Sequence, residues 1–178
     1  MEFKKNKSGQ FFSLDMIIGL LSLIIVILGA VWVWDSVRET IAIKEVRTNL
    51  EFVSRNSMAG LIETSGYPHD WYKFTGPDFN RGNIFTIGLC EHNSLLELSQ
   101  TKIDAMKSSD WETTKRMIGF LGPGYDFNID LYVWNGSAYS YNDTIGPAMA
   151  GPSEILKVTR FALLNDKWTR VEMTAWHE

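Results

Sequence analysis

The sequence predicts an α+β fold in which one long N-terminal helix packs on an antiparallel β-sheet that also carries short helices. An apolar run fills residues 11–34, an amphipathic pattern continues it without proline to residue 64, and later segments alternate apolar and polar residues with a period of two. We divide the 178 residues into four parts: a basic segment 1–9, an apolar helix 10–34, an amphipathic continuation 35–65 and a head 66–178.

Composition excludes several classes of function. The net charge of -4 gives no general attraction to nucleic acid, and no stretch interleaves basic and aromatic residues as a strand-binding groove does. Cys90 is the only cysteine, which excludes an internal disulfide and a CxxC metal site. Because it follows the apolar run 84–89, we expect Cys90 to be a small buried hydrophobe.

The apolar run is long enough to cross a membrane. Its 24 residues from Phe11 to Trp34 give a helix of about 36 Å, which spans a bilayer with some tilt. Lys4, Lys5 and Lys7 precede it, so the short basic end stays cytoplasmic and the head lies outside. The length of the run and the lack of a small-x-small site disfavour an ordinary secretory signal. An uncleaved anchor, or a leader cut on the cytoplasmic side, remains.

The stretch KSGQFFSLD, Lys7 to Asp15, resembles the class III signal peptide of archaeal type IV pilin-like proteins. The resemblance implies that a prepilin peptidase cleaves between Gly9 and Gln10, which makes residues 1–9 a leader and leaves the apolar helix on the mature chain. A second phenylalanine places Ser13 and Asp15 one position later than in the family's pattern. Cleavage after Gln10 is therefore the alternative.

Asp15 places a carboxylate inside an apolar helix, which is costly unless the group lies near the interface, is paired or is neutralised. The resemblance implies that Asp15 of one subunit pairs with the new ammonium of Gln10 on a neighbour and sets the axial register. Ser13 and close packing at Gly19 and Gly29 would add to this register. The alternative is that Asp15 lies near the headgroups and is favoured by the helix dipole.

After the apolar run the helix becomes amphipathic. Trp32 and Trp34 mark the transition and suit an interfacial aromatic belt. Gly66-Tyr67-Pro68 ends the helix. We expect the sheet of the head to cover an apolar stripe that recurs at steps of mostly three to five residues, namely Val37, Ile41, Val46, Leu50, Val53 and Leu61.

In the first part of the head, the sequence predicts one strand and two short helices. Residues 83–89 form an apolar run typical of a strand. Asn93 or Ser94 can cap a helix that extends to about Met106. Ser109 or Asp110 can cap a second helix through residue 120.

The second part of the head predicts a meander. Apolar residues from Phe127 to Val133 alternate with polar ones, and Asn135-Gly136 is a strong hairpin signal before a returning strand at 137–141. Further strands are expected at 155–164 and 168–176, which gives an antiparallel sheet of four or five strands. This order of elements resembles the type IV pilin architecture.

No arrangement of residues indicates an enzyme, a cofactor or a metal. His69, His92 and His177 lie far apart in the sequence and lack the spacing of metal ligands on one helix face, so each is expected at the surface or in a turn. Asp126 and Asp130 share one face of a predicted strand. A calcium site or paired-carboxylate chemistry is conceivable there, but alternating solvent-facing acids are the favoured interpretation.

Two Asn-x-Ser/Thr sequences lie in the predicted outward-facing head. Asn135-Gly136-Ser137 and Asn142-Asp143-Thr144 match the acceptor rule for N-glycosylation. The alternative is that asparagine and glycine are simply the residues that a hairpin turn requires.

Together these observations predict a structural subunit, major or minor, of an archaeal type IV pilus-like surface filament. The resemblance implies as partners a prepilin peptidase, other pilin subunits, the assembly platform and its ATPase, and the membrane; no nucleic acid is expected. The subunit would be a single-pass membrane protein before assembly and extracellular afterwards. A permanently anchored extracellular binding domain is the alternative, and an anchored hydrolase that uses Asp126 and Asp130 is a third.

Overall fold

The computed structural model describes residues 8–92, 94, 96–122, 124–149, 151–152 and 154–177, with side chains from residue 15 onward. The chain divides into two units, one that ends at Glu45 and one that runs from Val46. Helix α1 (Ser8–Glu63) contributes to both units. The predicted uninterrupted helix is confirmed, because no proline removes a backbone donor before the Gly66-Tyr67-Pro68 turn.

The end of α1 carries the apolar face that anchors it in the head. Leu50 and Leu61 are buried as predicted, whereas Val37 and Ile41 are exposed. The buried part of the stripe therefore lies in the unit that runs from Val46. Buried positions recur on one face of the helix at intervals of three and four residues, namely Leu50, Ser54, Ser57, Met58, Leu61 and Ile62.

The head is built around one five-stranded sheet with the order β3-β6-β7-β4-β5. The antiparallel pairing of β4, β5, β6 and β7 among themselves is confirmed. The predicted meander is wrong, because β4 pairs with β7 and the two hairpins β4–β5 and β6–β7 lie side by side. The strands are β3 (Glu97–Leu98), β4 (Tyr125–Trp134), β5 (Tyr139–Ile145), β6 (Glu154–Leu164) and β7 (Lys167–His177).

One edge of the sheet departs from the prediction of a purely antiparallel sheet. β3 pairs with β6 in parallel, with Glu97 opposite Leu163. A parallel neighbour requires a long connection, and α2, α3 and the β4–β5 hairpin lie between these two strands in the chain. The two-residue β3 gave no periodic signal of its own, so its pairing could not be read locally.

The short elements begin and end differently from their predictions. The predicted strand at 83–89 is reduced to β2 (Thr86–Ile87), which pairs with β1 (Gly66–Tyr67). The helix expected from residue 93 or 94 starts later, as α2 (Gln100–Ser108), because residues 97–98 pair in the sheet instead. Asn93 lies outside the described residues. Two short 3-10 helices, Trp71–Lys73 and Gly76–Asp78, follow β1.

The second helix matches its predicted cap. α3 (Trp111–Ile118) begins after Asp110, whose carboxylate accepts a hydrogen bond from the Thr113 amide at 2.9 Å. It ends two residues before the predicted position because Gly119 takes a left-handed conformation, with φ of 102°.

The core lies on one face of the main sheet. Phe127, Ile129 and Leu131 of β4 are fully buried together with Val171 and Met173 of β7. Because side chains alternate along a strand, the intervening residues point to the opposite surface, which we call the outer face. The outer face carries residues 126, 128, 130, 132 and 134 of β4, the even-numbered residues 168–176 of β7, the odd-numbered residues 155–163 of β6, and Tyr139, Tyr141 and Thr144 of β5.

Candidate functional site

The first candidate surface is the apolar part of α1. Every large apolar side chain between Met16 and Trp34 is exposed, from 44% at Ile24 to 76% at Met16. Among the described residues, this helix alone is long and apolar enough to span a membrane. Gly19 and Gly29 have open space where a side chain would project. The surface is therefore available to lipid or to a second helix.

Asp15 is exposed at the beginning of this surface. Gly9, Gln10 and Ser13, which the resemblance assigns to cleavage and register, are described only as backbone of α1. Trp32 and Trp34 are exposed at the opposite end, and the Arg38 guanidinium lies 5.6 Å from the ring centre of Trp34. A cation held against an aromatic ring suits a boundary between an apolar and an aqueous environment.

The second candidate surface is an aromatic cluster on the outer face. It consists of Tyr132, Trp134, Tyr139, Tyr141 and Phe161, arranged around Arg170.

The rings of this cluster are linked by short contacts. The ring centres of Trp134 and Tyr139 lie 5.1 Å apart, and those of Tyr139 and Phe161 lie 5.9 Å apart. Tyr132 and Tyr141 form an edge-on pair at 5.9 Å. Strand register brings these residues together, because Tyr132 lies opposite Tyr141 and Trp134 lies opposite Tyr139.

Arg170 joins the two groups of rings. Its guanidinium carbon lies 4.5 Å from the ring centre of Tyr132 and 5.4 Å from that of Tyr139. On the adjacent cross-strand row Glu172 accepts a hydrogen bond from Lys157 at 2.9 Å and lies 3.1 Å from Arg170 Nε. The hydrogen bond to Glu172 raises the pKa of Lys157, so this ammonium stays charged at neutral pH. The two cations beside the cluster thus share the carboxylate of Glu172.

The other end of the outer face holds polar atoms without a hydrogen-bond partner. Trp176 is only 1% exposed, yet among the described residues its indole Nε1 has no acceptor and Asn128 Oδ1 has no donor. Asn128 and Trp176 lie on adjacent strands, where Asn128 is opposite Thr174.

A buried lysine fastens the end of α1 to the head. The Lys102 ammonium donates to the backbone oxygens of Ser65 at 2.7 Å and Cys90 at 2.6 Å. Burial lowers the pKa of Lys102. Cys90 is buried as predicted, its thiol contacts the backbone oxygen of Ile62, and burial raises its pKa. This arrangement favours a structural role over a reactive thiol.

The histidines are not all separate in space. The rings of His69 and His92 stack with centres 4.5 Å apart, although both residues are exposed as predicted. The ring of His177 meets Tyr125 edge-on at 4.6 Å. No group of three or more histidine, cysteine or acidic side chains suited to a metal occurs within the described part of the chain.

Asp126 and Asp130 do not converge. They lie four positions apart along β4, which corresponds to about 13 Å and is too far for one ion or one scissile bond. Asp126 accepts from Trp111 Nε1 at 2.9 Å and lies 3.4 Å from the Lys115 ammonium. Asp130 accepts from the Thr144 hydroxyl at 2.8 Å. Both carboxylates are engaged within the fold, which favours the structural interpretation.

The two potential glycosylation sites differ in geometry. Asn135 lies in the exposed turn between β4 and β5, and its side-chain oxygen accepts from the amide and hydroxyl of Ser137, each at 3.0 Å. Asn142 lies within β5, and the hydroxyl of its Thr144 is already bound to Asp130. Both asparagines are exposed, but only the acceptor sequence of Asn135 lies in a turn.

Sequence reasoning missed the aromatic cluster, Lys102 and the paired histidines. The alternation of Asp130, Tyr132 and Trp134 along β4 did indicate which residues face outward. It could not show that β5, β6 and β7 add rings and a guanidinium to the same patch, because this depends on strand order. A comparison with protein-family models, curated proteins and solved structures finds no match to this chain.

Proposed function

We propose that this chain is a structural subunit of an archaeal type IV pilus-like filament, inserted in the membrane before assembly. The observation that carries the proposal is the apolar surface of α1, where every large apolar side chain from Met16 to Trp34 is exposed. Such a surface needs lipid or other helices around it. Assembly into a filament would replace the lipid around these side chains with the helices of neighbouring subunits.

Asp15 supports the proposal because a carboxylate at the start of an apolar helix needs a specific partner. In the filament, Asp15 would pair with the ammonium that cleavage creates at Gln10 of a neighbouring subunit. Apolar contacts between helices differ little in free energy from contacts with lipid. Specific interactions such as this ion pair would therefore set the axial register of the subunits. Gly19 and Gly29, which are open in the single chain, would allow close approach of neighbours.

The partners in this proposal are a prepilin peptidase, other pilin subunits, the assembly platform with its ATPase, and the membrane. The head would lie outside the cell both before and after assembly.

The second candidate function, a permanently anchored extracellular binding domain, is favoured by the aromatic cluster around Arg170. We also propose that Asn135 accepts a glycan, which adds mass to the chain. Asn135→Gln should remove this added mass. A variant that keeps all of it would contradict the proposal.

Mass spectrometry of the mature N-terminus tests the proposed processing. We expect a chain that begins at Gln10 in cells with the peptidase. Gly9→Leu is expected to retain residues 1–9, whereas the matched Gly19→Leu is expected to be cleaved normally. An intact N-terminus in wild-type protein from filament-forming cells would favour the anchored binding domain instead.

A filament-incorporation assay tests Asp15 separately. Asp15→Asn removes the charge while it keeps the size, and we expect incorporation into sheared surface filaments to fall at least tenfold. Asp35→Asn, which changes an exposed acid just beyond the apolar run, serves as the control and is expected to assemble normally. Equal incorporation of both variants would contradict the proposed ion pair.

A further inference from the structure

We propose that the aromatic cluster on the outer face binds a neutral oligosaccharide. The proposal concerns the head alone and holds whether the chain forms filaments or remains a membrane anchor. Its basis is the combination of half-exposed rings, a guanidinium held between two of them, and locally balanced charge.

The rings offer apolar surface in a form that suits a sugar. Trp134, Phe161 and Tyr141 are 37%, 50% and 59% exposed. Their neighbours contact them at tilts of 47° to 74°, so each ring leaves part of one face free. The C–H groups on one side of a pyranose carry slight positive charge and are attracted to the negative face of an aromatic ring.

The polar groups of the cluster complement sugar hydroxyls. Arg170 is oriented by Tyr132 and Tyr139, and its side chain is 32% exposed. Its planar guanidinium carries further N–H donors besides the Nε that lies against Glu172. The tyrosine hydroxyls can both donate and accept, as sugar hydroxyls do. Rings for the C–H face and fixed donors beside them are the two requirements for recognition of a carbohydrate.

The charge balance disfavours nucleic acid as the ligand. Asp130 lies opposite Glu172, and Arg170 lies two residues before Glu172 on the same strand. With Lys157, this part of the outer face carries two positive and two negative groups. Lys157 and Arg170 both lie within ion-pair distance of Glu172. Affinity for nucleic acid comes mainly from cations that are free to neutralise phosphates. A neutral ligand fits this surface better.

The ring area of the cluster alone is small for an interface with a second copy of the chain. With about 200 Å² for a whole aromatic side chain, the three exposed fractions correspond to roughly 300 Å² of ring surface. A specific protein interface buries about 800 Å² on each partner. The cluster also lies on a sheet surface and not in the kind of cleft that encloses a small cofactor. A short stretch of an extended sugar chain matches both its size and its openness.

A binding titration on the full-length chain tests the proposal. The protein is produced in a bacterial host without N-glycosylation and purified in a detergent that carries no sugar. The probes are neutral hexasaccharides of glucose, mannose, xylose and galactose, with a single-stranded oligothymidylate for comparison. Tryptophan fluorescence and saturation-transfer NMR report binding, and sedimentation reports self-association.

Two phenylalanines provide a matched pair of variants. Phe161 contacts Tyr139 at 5.9 Å and 47°, whereas Phe85, away from the outer face, contacts Tyr67 at 5.6 Å and 46°. We expect saturable binding of at least one hexasaccharide, weakened at least tenfold by Phe161→Ala and unchanged by Phe85→Ala. Arg170→Lys keeps the charge but loses the planar fork, and it is expected to weaken binding as well.

Three results would overturn the assignment. The first is that no hexasaccharide binds saturably at millimolar concentration. The second is equal loss of binding in Phe161→Ala and Phe85→Ala, since the contact would then lie elsewhere. The third is binding of the oligothymidylate, or self-association sensitive to Phe161→Ala, without binding of any sugar.

Discussion

Lys102 shows how one buried side chain can hold two parts of the head together. Its ammonium satisfies the backbone oxygens of Ser65, just after α1, and of Cys90, just after β2. Burial opposes the charge and lowers its pKa, while the two oxygens stabilise the donor. The residue therefore serves as a donor for backbone groups that would otherwise be buried without a partner.

We expect Lys102→Met to destabilise the head by about 1–3 kcal/mol at neutral pH, because two buried oxygens lose their donor. Lys107→Met is the control. Lys107 pairs with Asp143 at the surface at 2.7 Å, so its loss should cost below about 1 kcal/mol. Denaturant unfolding followed by tryptophan fluorescence measures both, since Trp71 and Trp176 are buried in the head. Equal effects of the two variants would contradict the role of Lys102.

The two lysines should also respond oppositely to alkaline pH. The pKa of Lys102 is lower in the folded chain than in the unfolded one, so the unfolded chain binds more protons and stability from this group rises with pH up to about 10.4. The hydrogen bond to Asp143 raises the pKa of Lys107, so its contribution is present below about 10.4 and is lost above it. Unfolding measured from pH 8 to 11 for each variant against wild type checks both signs. The same pH slope for both differences would contradict this assignment.

Asp110 gives a second prediction for a single residue. Its carboxylate caps α3 through Thr113, whereas Ser99 occupies the same position before α2 without a side-chain hydrogen bond. We expect Asp110→Ala to cost about 1 kcal/mol and Ser99→Ala clearly less. Hydrogen bonds from Thr113 lower the pKa of Asp110, so its contribution is present above about 3.9 and fades as the pH falls below that value. An undiminished cost of Asp110→Ala at pH 2 would contradict the cap.

Residues that act on their own segment were predictable, and residues that act across segments were not. Asp110 could be identified from its position before an amphipathic stretch, and the burial of Cys90 from the apolar run before it. The roles of Lys102 and Arg170 depend on partners far away in the sequence. The meeting of His69 and His92 depends on the path of two turns, which no local pattern specifies.

At the scale of elements, α1 shows that apolar periodicity predicts a helix but does not identify every residue of its buried face. The stripe from Leu50 onward is buried, but it includes Ser54 and Ser57. Both serines are tolerated because their hydroxyls find backbone oxygens: Ser54 donates to Leu50 and Ser57 to Ile118 of α3. A search for apolar residues alone passes over such positions, although they lie at the centre of the contact.

Two glycines provide a prediction for the junction between α1 and β2. A side chain at Gly88 would collide with the backbone oxygen of Thr64, whereas Gly60 on α1 has open space. We expect Gly88→Ala to destabilise the head by about 1–3 kcal/mol or more, because backbone must move. Gly60→Ala should stabilise it by up to about 1 kcal/mol through helix propensity. Denaturant midpoints measure both, and tolerance of Gly88→Ala would show that the junction is loose.

The sheet was predictable where strands follow one another and not where they pair at a distance. Alternation and the Asn135-Gly136 turn specify the β4–β5 hairpin, and the Asn165-Asp166 turn, with φ of 52° and 63°, specifies β6–β7. The placement of β7 between β4 and β6, and of β3 beside β6, depends on packing across the whole head. The aromatic cluster is a product of that order, which explains why it emerged only from the structure.

At the scale of the whole molecule, the two units require different surroundings. The unit that ends at Glu45 exposes its apolar side chains, whereas the unit from Val46 buries an extensive core. In a single aqueous solvent the first unit would associate or aggregate. The proposed membrane insertion resolves this, with the apolar run 11–34 in lipid and the second unit in water outside the cell.

This topology can be tested with the chain's own cysteine as an internal control. Cys90 is 1% exposed, so an impermeant maleimide should not label wild-type protein on intact cells. Ala138→Cys places a thiol in the exposed turn between β4 and β5, and we expect it to be labelled on intact cells. Cys90 should react only after denaturation, which also reports that the head is folded. Labelling of Ala138→Cys only after cell lysis would place the head in the cytoplasm and contradict the proposed orientation. The basic residues before the helix would then not determine which end of the chain crosses the membrane.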